Sequence, residues 1–304
     1  MTDESSASKP VPRRVGGRRP ALAPDRYAQR DFFTADIGNL ASKDDRHSME
    51  HPMFSIAKKP SMDVRVYEHN QVSVTITPGL LGAPTIWDKD LLLYAISQVV
   101  EGKNRERSDA EHRHIRFKAY DFLQATNRRT SGEEYRRIEE SLTRLRSTEI
   151  KTNIEAGGKR VRKGFGFIDN WEIVERSSDG RMEAIELTLS EWIYNAIHNY
   201  EVLTINHDYF RLTGGLERRL YELARKHCGA QTTWTVAIAL LHKKTGSTAK
   251  MREFRRMLKA IVEHDNIPDY RMRLDADGDQ AMFYVKDMKA LAEATTLLDA
   301  VKQG

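Results

Sequence analysis

A chain of 304 residues with 39% hydrophobic and 31% charged residues exceeds one typical domain of ~150 residues and carries enough apolar mass for packed cores, which excludes a single small module and wholesale disorder. Its 49 Lys and Arg against 44 Asp and Glu leave a net charge of +5, so binding to a polyanion must come from charge gathered on particular surfaces. The densest apolar run, Leu91 to Ile96, falls short of the ~18 residues of a membrane span. The polar N-terminus lacks the apolar core of a secretory signal, and Cys228 stands alone, which excludes disulfides and a cysteine-based zinc site. The expectation is a protein of the reducing cytoplasm with no membrane contact and no cofactor.

Residues 1–30 combine Pro, Gly, Ser and Arg with few large apolar residues. They hold Lys9, Arg13, Arg14, Arg18, Arg19, Arg26 and Arg30 against Asp3, Glu4 and Asp25, and they read as a flexible basic arm. Residues 31–60 read as an irregular docking segment offering Phe32, Phe33, Ile37, Met53, Phe54 and Ile56 to the body. Alternation at Val64 and Val66, then at Val72, Val74 and Ile76, predicts a hairpin. Thr85 and Asp88 form a capping box before a helix with Leu92, Ala95, Ile96 and Val99 on one face, ending at Gly102. A strand at Ile115 and Phe117, a helix with Phe122 and Leu123, and a polar turn lead to a second box at Ser131 and Glu134.

The helix that follows buries Tyr135, Ile138, Leu142 and Leu145. Strand residues from Thr148 to Ile154 precede a glycine turn at Gly157 and Gly158. Strands from Phe165 to Val174 and from Ile185 to Leu189 flank the Ser178-Asp179-Gly180 turn, and a helix opens at Ser190. The helix from Leu216 has Leu220, Leu223, Ala224 and His227 on one side and Arg218, Arg219, Glu222, Arg225 and Lys226 on the other. A strand at Trp234 and Val236, a helix with Leu240 and Leu241, and a turn from Thr245 to Thr248 precede a basic helix from about Lys250 to His264. A hairpin through Tyr270, Met272 and Leu274, turning at Asp277-Gly278, returns through Met282 and Tyr284. A last helix carries Leu291, Ala294, Leu298 and Val301.

Two stretches match: Tyr135-Arg136-Arg137-Ile138 with Ser141-Leu142, and Phe254-Arg255-Arg256-Met257 with Ala260-Ile261, 119 residues later. Each follows a strand, an apolar helix and a turn, and each precedes a hairpin. That order is a helix-turn-helix with an appended β hairpin. The expected fold is therefore α+β with tandem winged-helix domains, over 61–200 and 201–304. In the second copy Phe254, Met257 and Ile261 face inward, leaving Lys250, Arg252, Arg255, Arg256 and Lys259 for a major groove. The first copy offers Arg136, Arg137 and Arg144, and the glycine turn adds Lys159, Arg160, Arg162 and Lys163, suited to phosphates or a minor groove.

Other signals carry less chemistry. His47-Ser48-Met49-Glu50-His51 spells an inverted zinc-protease motif, but Pro52 follows and the flanks lack helical periodicity. His112-Arg113-His114 differs from the paired histidines of nicking enzymes in having Arg113 between them, and no partner activates Cys228. No G-x-x-x-x-G-K-[ST] loop occurs, so unwinding would need binding energy or a recruited motor.

Residues 31–37 (DFFTADI), 48–52 (SMEHP), 67–70 (YEHN), 85–90 (TIWDKD) and 216–229 (LERRLYELARKHCG) resemble the plasmid replication initiator protein A family, and the resemblance runs from Asp31 onward. It implies a non-enzymatic bacterial plasmid protein with tandem winged helices that binds direct repeats of double-stranded DNA, called iterons, at an origin. It further implies opening of a nearby A·T-rich segment and recruitment of host replication proteins, including the replicative helicase. Many such initiators exchange between an initiating monomer and a repressing homodimer. The alternatives are a winged-helix transcriptional regulator or autorepressor without initiator activity, a nicking enzyme using a tyrosine, and a scaffold for acidic proteins.

Overall fold

The computed structural model describes residues 22–27, 32–35, 52–69, 72–105, 112–153, 155–156, 159–160, 163–198, 202–228 and 231–286. Most of the basic arm, the 47–51 motif, Arg162 and the expected helix at 291–301 lie outside the described residues, as do the side chains of Lys159 and Arg160.

In chain order the elements are β1 Phe32–Ala35, β2 Arg65–His69, β3 Val72–Thr77, α1 Lys89–Asn104, β4 His114–Phe117, α2 Ala119–Ala125 and α3 Gly132–Ser147. Then come β5 Glu149–Thr152, β6 Glu155–Ala156, β7 Lys159–Arg160, β8 Lys163–Phe165, β9 Ile168–Glu175, β10 Met182–Leu189 and α4 Glu191–His198. The last are β11 Val202–Ile205, a 3₁₀ turn His207–Arg211, α5 Gly215–His227, β12 Thr233–Ala237, α6 Ile238–Thr245, α7 Met251–His264, β13 Tyr270–Leu274 and β14 Gln280–Val285. The protein is a mixed α/β structure. Its sheets run β2-β3-β5-β8, β4-β10-β9 and β12-β14-β13, with two-stranded pairs β1-β11 and β6-β7.

The repeat read from two stretches extends through three elements. β4, α2 and α3 begin at residues 114, 119 and 132, and β12, α6 and α7 begin 119 residues later, at 233, 238 and 251. The turns agree as well: Asn127 and Gly246, also 119 apart, both take positive φ, at 55° and 67°. Both sheets place the last strand between the other two, β4-β10-β9 and β12-β14-β13, all antiparallel. The offset drops to 102 at β9 and β13, which begin at 168 and 270, so the first set holds 17 extra residues, the stretch that contains β5 to β8. The hairpin equivalent to β13-β14 is therefore β9-β10. Gly157 and Gly158 fall in sequence within the insertion, which joins the sheet of β2 and β3 through β5.

Several sequence expectations are corrected here. Residues 32–35, placed in an irregular segment, form a strand because they pair with residues 202–205, which no local pattern reveals. α1 runs past Gly102, which is buried within it, to Asn104. The apolar Val64 and Val66 are exposed, each at 56%. The register pairs Arg65 with Ile76 and Tyr67 with Val74, and directly paired residues share a face, so the polar positions of β2 turn toward buried Val74 and Ile76 and the valines turn away.

The charged side of α5 is not a wet one. Arg218 and Arg225 are buried at 3% and 7%, because α5 packs its charged face against the rest of the protein. Arg218 Nη1 donates to Asp90 Oδ1 at 2.8 Å, and Arg128 Nη2 donates to Asp90 Oδ2 at 2.9 Å. One carboxylate on α1 thus holds the α2–α3 turn and α5 together. Lys89 meets Glu222 at 2.8 Å beside it. Burial pushes the Glu222 carboxyl up, but Lys89 and Arg219 outweigh it, and the group is held below its ordinary value. The six described residues 22–27 lie across the same seam. Ala23 exchanges hydrogen bonds with Arg211, and Arg26 N–H donates to Asn127 Oδ1 at 2.8 Å.

Candidate nucleic-acid interface

α7 is amphipathic. Its buried positions are Phe254, Leu258 and Ile261, each three or four residues from the next. Met257, expected inside, is only partly buried, because the stripe passes through Leu258 instead. Residues off that stripe reach water: Lys250 at the start, then Arg252, Arg256 and Lys259 are exposed, and Arg255 is half-buried. Gly246, before this helix, holds φ +67°, and a Cβ there would meet the Pro52 ring at 2.7 Å, so the turn that aims α7 is open to glycine alone.

The cations of α7 are organised differently from one another. Arg256 forks onto Glu253 of its own helix, at 2.8 and 2.5 Å, in the open. Arg255 reaches across to the β13–β14 turn, donating to Gly278 O at 2.5 Å and to Asp279 Oδ1 at 2.6 Å. That turn carries Asp275, Asp277 and Asp279. As a phosphate contact it is the wrong sign.

α3 carries a mixed face. Ile138, Leu142 and Leu145 are fully buried. Arg136 and Arg137 are exposed, paired with Glu140 and with Glu133 and Glu134 of the same helix. Such surface pairs contribute only ~0–1 kcal/mol, so a phosphate can replace either acid. Arg144 is not on this face. It is 8% exposed, and its Nε and Nη2 donate to Asp88 Oδ2 and Oδ1 at 3.0 and 2.7 Å, because position 144 lies on the turn of the helix that packs against the start of α1. Asp88 also accepts from Ser141 Oγ and from the Thr85 N–H. Burial raises the Asp88 carboxyl, but these partners hold it below its ordinary value. Only half of the capping box at Thr85 is made: Asp88 Oδ2 accepts from the Thr85 N–H and hydroxyl, but α1 begins at Lys89 with Asp88 as its N-cap and no side-chain cap bond. Ser131 makes no side-chain cap bond either, its partner Glu134 being engaged by Arg137.

In the inserted strands, Lys163 of β8 and Lys151 of β5 are exposed. Lys159 and Arg160 fall on β7, paired with β6. The structure also exposes Arg129, in the α2–α3 turn, and Lys243, at the end of α6, two cations that the helical patterns passed over. His114, on β4, pairs with Glu186 at 3.3 Å. Among the described residues no cluster of His, Cys, Asp or Glu is arranged to hold a metal ion, and no helix is long and apolar enough to cross a membrane.

A family model and a relative of known sequence agree on one lineage. The model of the family described as Replication initiator protein A matches residues 43–272. A relative from Wigglesworthia glossinidia brevipalpis, whose name calls it a replication protein, is 38% identical over 258 residues, 84% of this chain and 93% of its own. In fold, the chain is similar to a crystal structure of domains 2 and 3 of RctB, with a TM-score of 0.57 and 12% identity over 78% of this chain and 95% of that one. A second structure of the same RctB domains gives 0.54 and 13%, over 80% and 98%.

Proposed function

The chain belongs to the replication initiator protein A family, and from that premise we propose that it binds direct repeats of duplex DNA at an origin and brings host replication proteins to it. The two repeated sets act as tandem winged-helix units, over 61–200 and 201–304. α2–α3 with β9-β10 forms the first, and α6–α7 with β13-β14 forms the second. α3 and α7 enter major grooves about one turn, ~10 bp, apart on one side of the duplex.

The observation that carries this reading is the 119-residue repeat, which places Arg136 and Arg137 of α3 where α7 has Arg255 and Arg256. Arg252, Arg255 and Arg256 read base edges, since an arginine fork matches guanine O6 and N7. Lys250, Lys259, Arg136, Arg137 and the basic run of Lys159, Arg160, Arg162 and Lys163 grip phosphates. Arg144, buried on Asp88, has no part in it. With no phosphate-binding loop in the sequence, the partner that drives strand separation is the host replicative helicase, reached through a plasmid-borne origin in the cytoplasm.

The test is selection of bound duplexes from a random library by the full chain, followed by footprinting. A protected repeat of about two turns, with affinity falling steeply as salt rises, supports the reading. Binding without base preference, or binding insensitive to salt, refutes it. A plasmid carrying only the recovered repeats and their A·T-rich flank, with the gene supplied in trans, is maintained if the protein initiates and is lost if it only regulates transcription.

A further inference from the structure

The β13–β14 turn is acidic where a DNA-contacting wing is ordinarily basic, and it is built to hold a fixed shape. Asp275 accepts hydrogen bonds from the backbone N–H groups of Asp279 and Gln280 at 2.8 and 3.0 Å. Gly278 N–H returns to Asp275 O at 3.1 Å, with Gly278 at φ +69°. The Asp279 carbonyl accepts from the first N–H of α6, Ile238, at 2.8 Å. From this pinned position the Asp279 carboxylate and the Gly278 carbonyl take one N–H each from Nη2 and Nη1 of Arg255.

An arginine has five N–H donors. Two are used here, so Arg255 keeps donors for a base edge while its long side chain is anchored at the guanidinium. A mobile exposed arginine finds phosphates and bases alike, because its charge is not directional. An arginine clamped on an acidic turn loses net charge in its surroundings, which weakens its pull on phosphates, and keeps the directional N–H donors that a neutral base edge accepts.

We infer that Asp279 is a specificity-determining residue, which positions Arg255 to read one base pair while the acidic turn weakens binding to DNA of any other sequence. This rests on the reading of α7 as a base-reading helix. The second unit then discriminates, and the basic run at 159–163 supplies the sequence-independent grip.

The experiment compares the wild-type full chain with Asp279→Ala, Asp277→Ala and Arg255→Lys on two duplexes: the one recovered by wild-type selection, with each base pair changed in turn, and a scrambled duplex of equal composition. Asp277 is on the same turn and removes the same charge. Both aspartate variants should bind the scrambled duplex more tightly by a similar factor. Asp279→Ala alone should lose about tenfold or more of the preference at one base pair. Arg255→Lys keeps the charge but cannot fork, and should lose preference at that same pair. Loss of preference at the same pair in Asp277→Ala, or full preference in Asp279→Ala, overturns the inference while leaving base reading by the wild type intact. A wild type that recovers no preferred duplex refutes the underlying reading instead, and the inference with it.

Discussion

Asp90→Asn is the substitution that most directly tests how the two repeated units are joined. Asp90 is 1% exposed and accepts from Arg218 Nη1 and Arg128 Nη2. The asparagine is isosteric but neutral, and its amide nitrogen would face a guanidinium, donor against donor. Arg128, with its side chain 15% exposed, can turn toward water, whereas Arg218, at 4%, cannot. Arg218 would retain the Leu212 carbonyl at 3.0 Å, the Phe210 carbonyl at 3.3 Å and the face of Tyr209 at 5.0 Å, none of which carries a compensating charge. Removing one member of a buried pair costs about 3–5 kcal/mol, against a typical total of ~5–15 kcal/mol. At a urea slope of ~3 kcal/mol/M the midpoint should fall by ~1 to 1.7 M. The double variant Asp90→Leu with Arg218→Met should recover most of that loss, since an apolar pair of similar volume leaves no orphan charge. A midpoint for Asp90→Asn corresponding to a loss of less than ~0.5 kcal/mol, the range of ordinary surface changes, would refute the argument that this carboxylate ties α1, the α2–α3 turn and α5 together.

Arg144→Met should destabilise the protein by about 3 kcal/mol in urea melts. The deficit is full above the unfolded carboxylate pKa of ~3.9, because Asp88 is held below that value when folded, and it narrows as pH falls through the folded value. A deficit independent of pH between 3 and 6 would contradict the pairing. The pair Arg136→Ala with Arg137→Ala should leave stability within ~0.5 kcal/mol, weaken duplex binding uniformly across sequences and lower the salt slope by about 2, measured by fluorescence anisotropy. Lys244 is 6% exposed, and burial pushes its ammonium down to about 8. The charged form is thus penalised below that pH and relieved as pH rises toward the unfolded value. Lys244→Met should therefore stabilise by up to about 3 kcal/mol at pH 7, a gain that fades between pH 8 and 10.5 in thermal melts.

Local pattern and tertiary context divided the work unevenly along the chain. Helical periodicity placed α3, α5 and α7 within a few residues, and the repeated aromatic-Arg-Arg-apolar run at 135 and 254 was legible because both copies must bury the same stripe. The identity of the family lay in contiguous blocks such as 216–229, which need no fold to be recognised. The side on which a charge ends up was a different matter. Arg218, Arg225 and Arg144 have the spacing of a wet face, and each is buried because a carboxylate or carbonyl more than 20 positions away in sequence meets it: Asp90 for Arg218, the Thr204 carbonyl for Arg225 and Asp88 for Arg144. A helix pattern reports which residues share a face, since that follows from 3.6 residues per turn. It does not report whether the polar face meets water or another polar face, since that depends on what packs there. The same holds for Val64 and Val66, turned outward by the register with β3, and for Asp279, an ordinary turn residue until the fold closes the hairpin onto Arg255. Sequence alone determined most of the elements, the repeat and the lineage; the packing of distant segments decided the pairing of β1 with β11, which cations stay exposed and which hold the protein together.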